Sequence, residues 1–421
     1  MKKLIKIFAV LLLALTIVGC SKPAETTEED VEIVIWHTFT DAQNEELEKI
    51  AADFSAAHEH INVVVEQQPY ADFDSKVANA VRSDVGPSLI VHYSTLAATF
   101  ADEGLLIDFM PYIEADEGLE AYQASVSAGA YADATQFDNG TKMYVYPLNL
   151  TATLLFYNKT LFDELNITVP ETWDDLTVAS QTIYDAKGIP GFGMDSLVDN
   201  FVLWLNQNSV GYIDATTKTV AFNTDKSVEL LNWFADGVKA GYFSVAPTGN
   251  YYSEDIGSQT IASYIGSCAG ASYVASSVGD KFEWAMAPVP QTTGTDKVTT
   301  AFIRGIIGFS KDEAHDQAVY EFIKYWTSAD VHAEWCETFN ALSPYIATTE
   351  TDTYISYLAG NEAMALAQEG VEYGVTAPSL TGSATVRDEV TAMIKKVALG
   401  EMTAEEAITL AETNSNAALA E

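Results

Sequence analysis

The chain has 421 residues, room for two domains of ordinary size, and its 48% hydrophobic content lets a soluble globular protein bury a sizeable core. Its 60 acidic residues outnumber 21 basic ones for a net charge of −39, which makes nucleic acid and anionic lipid heads poor partners. An anionic ligand would need a local cation to meet it.

In chain order, Lys2, Lys3 and Lys6 form a basic start, and residues 7–18 carry no charge. That run has signal-peptide length and falls short of the roughly 20 residues a spanning helix needs. It ends in Ile17-Val18-Gly19-Cys20, which resembles a bacterial lipobox. Residues 1–19 are therefore expected to be a lipoprotein signal peptide, with lipid on Cys20, and polar residues 20–30 to be a disordered tether. Cleavage takes away three of the 21 basic residues and no acidic one, leaving a net charge of −42.

Val31-Glu32-Ile33-Val34-Ile35 reads as a strand running into Trp36-His37. Thr40 and Gln43 form a capping-box pattern with Asp41 in the first turn, and Leu47, Ile50, Ala51 and Phe54 follow at helical spacing. With the β-branched run Ile61 to Val65 this makes a βαβ unit, hence a parallel sheet with ligands at the strand carboxyl ends. Leu89-Ile90-Val91 is a further strand, with His92-Tyr93-Ser94 at its end. A second region begins near Pro147: a strand at Leu154 to Tyr157, a helix from Thr160 to Leu165 closed by Asn166, and a helix start at Pro170-Glu171-Thr172-Trp173. Helices are predicted from Ser227 to Ala240, ending at Gly241, and from His315 to Trp326, after a strand-like run from Phe302 to Phe309. Near the C-terminus Val386, Val390, Ile394 and Val397 share a helix face, Gly400 breaks it, and Thr403 with Glu406 caps a last helix. Cys268 and Cys336 could form one bridge or be two small buried residues. His58 and His60 supply two metal ligands at most, with no third nearby, so no metal site is expected.

Several segments, in order, resemble the extracellular solute-binding proteins that include the maltose- and glycerol-3-phosphate-binding groups. These are Ile35-Trp36-His37-Thr38, the Gly86-Pro87 turn with Ser88 in place of the usual Asp, and Leu155-Phe156-Tyr157-Asn158-Lys159-Thr160-Leu161-Phe162. Then come Pro170-Glu171-Thr172-Trp173-Asp174-Asp175-Leu176, Gly266-Ser267-Cys268-Ala269-Gly270 and Gly400-Glu401-Met402-Thr403-Ala404-Glu405-Glu406-Ala407. Asn166 stands where the pattern has Gly. The resemblance implies an α/β, two-lobed periplasmic-binding-protein-like fold, each lobe a sheet flanked by helices, with the ligand cleft between lobes. It implies an N-terminal lobe of residues 31–148 and 300–342 and a C-terminal lobe of 149–299 and 343–421. The expected crossings are Pro147 to Ala152, Thr299 to Phe302 and Ala341 to Tyr345.

A sugar site needs apolar faces for ring C–H surface and polar groups for hydroxyls, and 21 Tyr, 19 Phe and 7 Trp can serve core and cleft alike. The resemblance places Tyr70 at a ligand tyrosine, Ser94 where the glycerol-3-phosphate group has a glutamate, and Thr151 at a ligand serine, with Asn149 in the same crossing. Thr38 and Phe39 follow the first strand and could cover the ligand. Trp204 lies in a segment that supplies a stacking tryptophan, or belongs to the core; Tyr273 and Ser276 follow the Cys268 turn. Arg304 interrupts the apolar run Phe302-Ile303-Arg304-Gly305-Ile306-Ile307, where the family has Gly, and needs acidic protein neighbours or an anionic ligand. With so acidic a chain, protein neighbours are the expected partners. The family's phosphate-binding arginine aligns near Ser379, a departure that argues against glycerol-3-phosphate itself.

The implied function is a non-catalytic binding lipoprotein of an ABC importer, held at the outer face of the cell membrane through Cys20. It would capture a carbohydrate, polyol or glycerol-phosphate-type solute by hinge closure and hand it to the permease subunits, as a monomer without cofactor. A binding protein feeding a signalling receptor is the alternative, and a secreted carbohydrate-active enzyme a remoter one. The sequence holds no P-loop, no Gly-x-Ser-x-Gly and no His-Glu-x-x-His.

Overall fold

The computed structural model describes residues 30–39, 41–245 and 251–420. The predicted signal peptide, Cys20, most of the tether and the Thr40 end of the predicted capping box lie outside them. The strands are β1 (Val31–His37), β2 (Ile61–Gln67), β3 (Leu89–Tyr93), β4 (Tyr146–Asn158), β5 (Gly193–Met194) and the small hairpin β6 (Ile213–Asp214) and β7 (Thr219–Val220). They continue as β8 (Ser263–Ser267), β9 (Trp284–Pro288), β10 (Thr299–Gly308) and β11 (Gly374–Val375).

The predicted βαβ unit is present: β2 and β3 both pair parallel to β1, and the helix Asp41–Ala57 between β1 and β2 buries Leu47, Ile50, Ala51 and Phe54. Asn166 closes the helix Lys159–Leu165 in the left-handed conformation, and Thr172 caps Trp173–Lys187 with Asp175 reaching back. Thr403 and Glu406 form the predicted capping box of Ala404–Leu419. Cys268 and Cys336 are both free and buried, so the bridge alternative falls.

One mixed sheet runs through the molecule in the order β2-β1-β3-β10-β4-β8-β5, with β9 on β4 and β11 on β10. Its spine is the antiparallel β4/β10 pair, whose ends belong to different halves. At one end β10 joins β3, at the other β4 joins β8 and β9. Helices pack on the sheet to give two large cores, one around Phe54, Val91, Phe322 and Trp326, the other around Leu176, Phe201, Trp204 and Ile394. The result is a two-lobed α/β molecule. Among the described residues no helix is long and apolar enough to cross a membrane.

The passage between lobes is held by a polar node. Arg304 faces Asn149 and Gly305 faces Pro147, so Leu148 drops out of register, a bulge that bends its strand. The freed Leu148 carbonyl accepts from His332 Nε2 at 2.8 Å, the Asn149 side chain accepts from the Trp335 indole at 2.7 Å, and the Tyr345 hydroxyl donates to the Pro147 carbonyl at 2.5 Å. Leu150 exchanges both backbone hydrogen bonds with Leu342. Gly305 is required here: a Cβ would lie 2.4 Å from Val145 Cγ1 and 2.6 Å from the Tyr146 carbonyl oxygen.

Candidate functional site

Between the lobes lies a cavity of about 830 Å3, toward the upper end of the ~300–1,000 Å3 usual for small-molecule sites. Its walls come from strand ends, helix starts and the crossings. β3 delivers Tyr93 and its following helix Ser94; the helix Ala128–Ala134 delivers Asp133; β4 and β10 deliver Thr151 and Phe302. From the other lobe, the turn after β5 delivers Asp195, the helix Leu197–Gln207 Asp199, and the helix Ser383–Ala398 Arg387.

Three carboxylates in this wall differ in their partners. Asp133 is 6% exposed; it accepts from the Ser94 hydroxyl at 2.5 Å and from Gln136 Nε2 at 3.1 Å. Burial outweighs those bonds and pushes its carboxyl up to about 6. Asp195 accepts from the Tyr252 backbone N–H at 2.7 Å, and burial pushes it up to about 7. Asp199 receives the Arg387 guanidinium as a fork, at 2.7 and 3.0 Å, and the Ser196 hydroxyl at 2.5 Å. The cation in the cavity wall is thus already paired.

Aromatic faces complete the cavity. Tyr251 and Tyr273 line it from one lobe, 74% and 69% exposed, and Tyr93 from the other. Burial raises the Tyr251 hydroxyl, helped by Tyr70, Asp195, Tyr93 and Tyr273; Tyr70, in the loop after β2, is 84% exposed and is not in the wall.

Of the residues singled out from the sequence, Ser94, Thr151 and Tyr273 line the cavity, and Tyr70 does not. Thr38 is half-buried beside Phe39 and is not in the wall. Others stand outside the cavity wall as well. Trp204 is a core residue, edge-on to Trp173 and Trp233, because the helix Leu197–Gln207 is buried nearly all round. Phe39 turns inward against Trp335 and Phe339, and Asn149 spends its side-chain oxygen on Trp335. Ser276 is exposed outside the cavity wall. Arg304 finds no acidic neighbour, contrary to expectation: among the described residues it makes no ion pair. Its guanidinium sits 5.5 Å from both the Phe39 and Tyr93 rings, with one long bond to the Val91 carbonyl, so cation–π contacts replace the salt bridge.

Asp133, Asp195, Asp199 and Arg387 were not singled out. Carboxylates are too numerous in this chain to mark a site, and no motif around Arg387 sets it apart from the other basic residues. Ser379, aligned with the family's phosphate arginine, does line the cavity.

One further constellation has triad geometry: Ser88 Oγ lies 2.8 Å from His315 Nε2, and His315 Nδ1 lies 3.0 Å from Asp316 Oδ1. Ser88 is fully buried and already accepts from the Val34 N–H at 3.1 Å, so it ties β1, β3 and the helix Glu313–Trp326 together and has no path to a substrate.

Comparison with known proteins agrees with this geometry. The family model described as bacterial extracellular solute-binding protein matches residues 40–333. An sn-glycerol-3-phosphate-binding periplasmic protein of Yersinia enterocolitica is 23% identical over 332 residues, covering 72% of each chain. A maltotriose-binding protein of Pyrococcus abyssi is 21% identical over 303 residues, covering 70% of this chain and 62% of that one. The crystal structure of the cyclic alpha-maltosyl-1,6-maltose binding protein from Arthrobacter globiformis superposes with a TM-score of 0.81 at 23% identity, covering 92% of this chain and 99% of that one.

Proposed function

The chain belongs to the bacterial extracellular solute-binding protein family, and from that premise we propose that it captures a carbohydrate outside the cytoplasm and delivers it to the permease of an ABC importer. The relatives bind maltotriose, cyclic maltosyl-maltose or glycerol-3-phosphate by their names. The observation that carries the choice among these is the cavity itself: exposed tyrosine rings from both lobes beside hydroxyl and carboxylate acceptors, with its one guanidinium already neutralised by Asp199. Ring faces of a sugar stack on aromatic surface, and its hydroxyls donate to carboxylates. A phosphate would meet three carboxylates and a cation with no charge to spare.

The reading includes closure of the lobes, 31–148 with 300–342 against 149–299 with 343–421, about the bulged crossing at Leu148. It also includes a monomer that performs no catalysis. A thermal-shift panel of oligosaccharides, monosaccharides, polyols and glycerol phosphates tests it. A ligand at 100 times its Kd stabilises by about 2.7 kcal/mol, a readable shift. We expect an oligosaccharide to score first and the saturated protein to show a smaller radius of gyration by X-ray scattering. If glycerol phosphates alone shift the transition, the carbohydrate reading is wrong.

The proposal places the protein on the outer face of the cell membrane through lipid on Cys20, supported by Ile17-Val18-Gly19-Cys20. Metabolic labelling with a tagged fatty acid should mark the wild type and not Cys20→Ala. Label persisting on the variant would rule the anchor out.

A further inference from the structure

We propose that the carbohydrate this cleft selects carries a protonated amine, seated on the free carboxylate oxygen of Asp195 beside Gly266. The proposal rests on the carbohydrate reading above and narrows it to a substrate class.

The carboxylate is built into the wall. Asp195 follows β5, in a turn whose own N–H donates to the Ile265 carbonyl of β8 at 3.0 Å, and its Oδ1 is fixed by the Tyr252 N–H. The other oxygen, Oδ2, has no donor among the described residues, and Asp195 lines the cavity. Across from it stands Gly266 on β8. A Cβ there would lie 2.4 Å from Asp195 Oδ2, so only glycine leaves this oxygen its place. The pair Asp195 and Gly266 therefore presents one oriented acceptor to the cavity.

Charge decides what the acceptor is for. Among the described residues, the ionisable groups that act on or with Asp195 are Asp255 and the hydroxyls of Tyr251, Tyr252 and Tyr264, with no lysine or arginine. Arg387, the cation of the wall, is committed to Asp199, and Asp133 adds a further carboxyl whose oxygens are held by Ser94 and Gln136. An anionic substituent would find repulsion on every side. A neutral sugar can donate a hydroxyl to Asp195 but brings no countercharge to it. Burial holds that carboxyl up at about 7, because its surroundings compensate the charged form poorly. An ammonium supplies that countercharge, and one of its three donors forms a charge-assisted bond to Oδ2 while two remain for neighbouring hydroxyls.

Isothermal titration at pH 7 of the mature protein with short β-1,4-linked glucosamine oligomers and their N-acetylated counterparts tests this. The amine set should bind at least tenfold tighter. Asp195→Asn, which keeps an acceptor for the Tyr252 N–H, should bring the two sets to within about twofold. Gly266→Ala should weaken the amine set while the melting temperature stays within a few degrees. At pH 5.5 the amine set should also weaken, because Asp195 then holds its proton. Equal or tighter binding of the acetylated set, or a preference that survives Asp195→Asn, overturns the amine proposal and leaves the carbohydrate reading standing. Binding of neither set, with glycerol phosphates bound instead, overturns both.

Discussion

Arg387→Met is expected to destabilise the ligand-free protein by about 2–3 kcal/mol, and Asp199→Leu with Arg387→Met together should restore most of the loss. The guanidinium forks onto a carboxylate that is 9% exposed at the side chain while the arginine is 34% exposed. Breaking a fully buried pair by removing one partner costs ~3–5 kcal/mol, because the other charge is left in the interior; the exposure of Arg387 brings that figure down. Replacing both removes the stranded charge, and urea unfolding of the three variants closes the cycle. The pair joins residues 188 apart in sequence, bringing the helix Ser383–Ala398 onto the helix Leu197–Gln207. It also sets ligand charge. Asp199→Asn frees the guanidinium to meet an anion, and a charge-assisted bond of ~1.5–3 kcal/mol should raise affinity for glycerol phosphates by about ten- to a hundredfold. A double variant no more stable than the sum of the single losses, or no gain of anion affinity, would mean the two side chains act independently.

That pair also marks the limit of what the sequence displays. Features held by neighbours in the chain were legible. The 3.6-residue spacing of Leu47, Ile50, Ala51 and Phe54, the Thr172–Asp175 and Thr403–Glu406 caps, and the left-handed turn at Asn166 each follow from residues a few positions apart. Features made by distant segments were not. The helix Leu197–Gln207 is buried on nearly every side, so it shows no polar face by which to tell a core tryptophan from a cleft one. Trp204 accordingly was open between two readings. β4 looked four residues long because only Leu154 to Tyr157 is uniformly apolar; its first half, with Pro147, Asn149 and Thr151, is extended because β10 and Leu342 hold it. Arg304 shows the same limit from the other side. A net charge supplies acidic neighbours on average, whereas the local packing gave it two rings.

Two buried groups should oppose each other in the stability of the ligand-free protein between pH 6.5 and 4, and removing either should change the pH dependence by about 3 kcal/mol relative to wild type. His332 is fully buried, its Nε2 donating to the Leu148 carbonyl and its Nδ1 accepting from the Ser343 hydroxyl at 3.0 Å. Burial lowers it from 6.5 to about 4. Between those values the unfolded chain binds a proton that the folded one refuses, so stability is lost as pH falls through the window. At ~1.4 kcal/mol per unit the loss is about 3 kcal/mol. Asp133 works the other way. Burial raises it from 3.8 to about 6, so the folded chain keeps a proton the unfolded one gives up, and stability is lost as pH rises through that window, again by about 3 kcal/mol. Acidification therefore costs at His332 what it returns at Asp133. His332→Gln should make the protein gain stability on going from pH 7 to 4.5 relative to wild type, and Asp133→Asn should make it lose stability over the same step. The comparison uses differences between two pH values, so the fixed cost of a lost hydrogen bond cancels from each variant. Urea unfolding at both values measures the slopes. Three parallel profiles would mean that neither group changes its protonation on unfolding in this range.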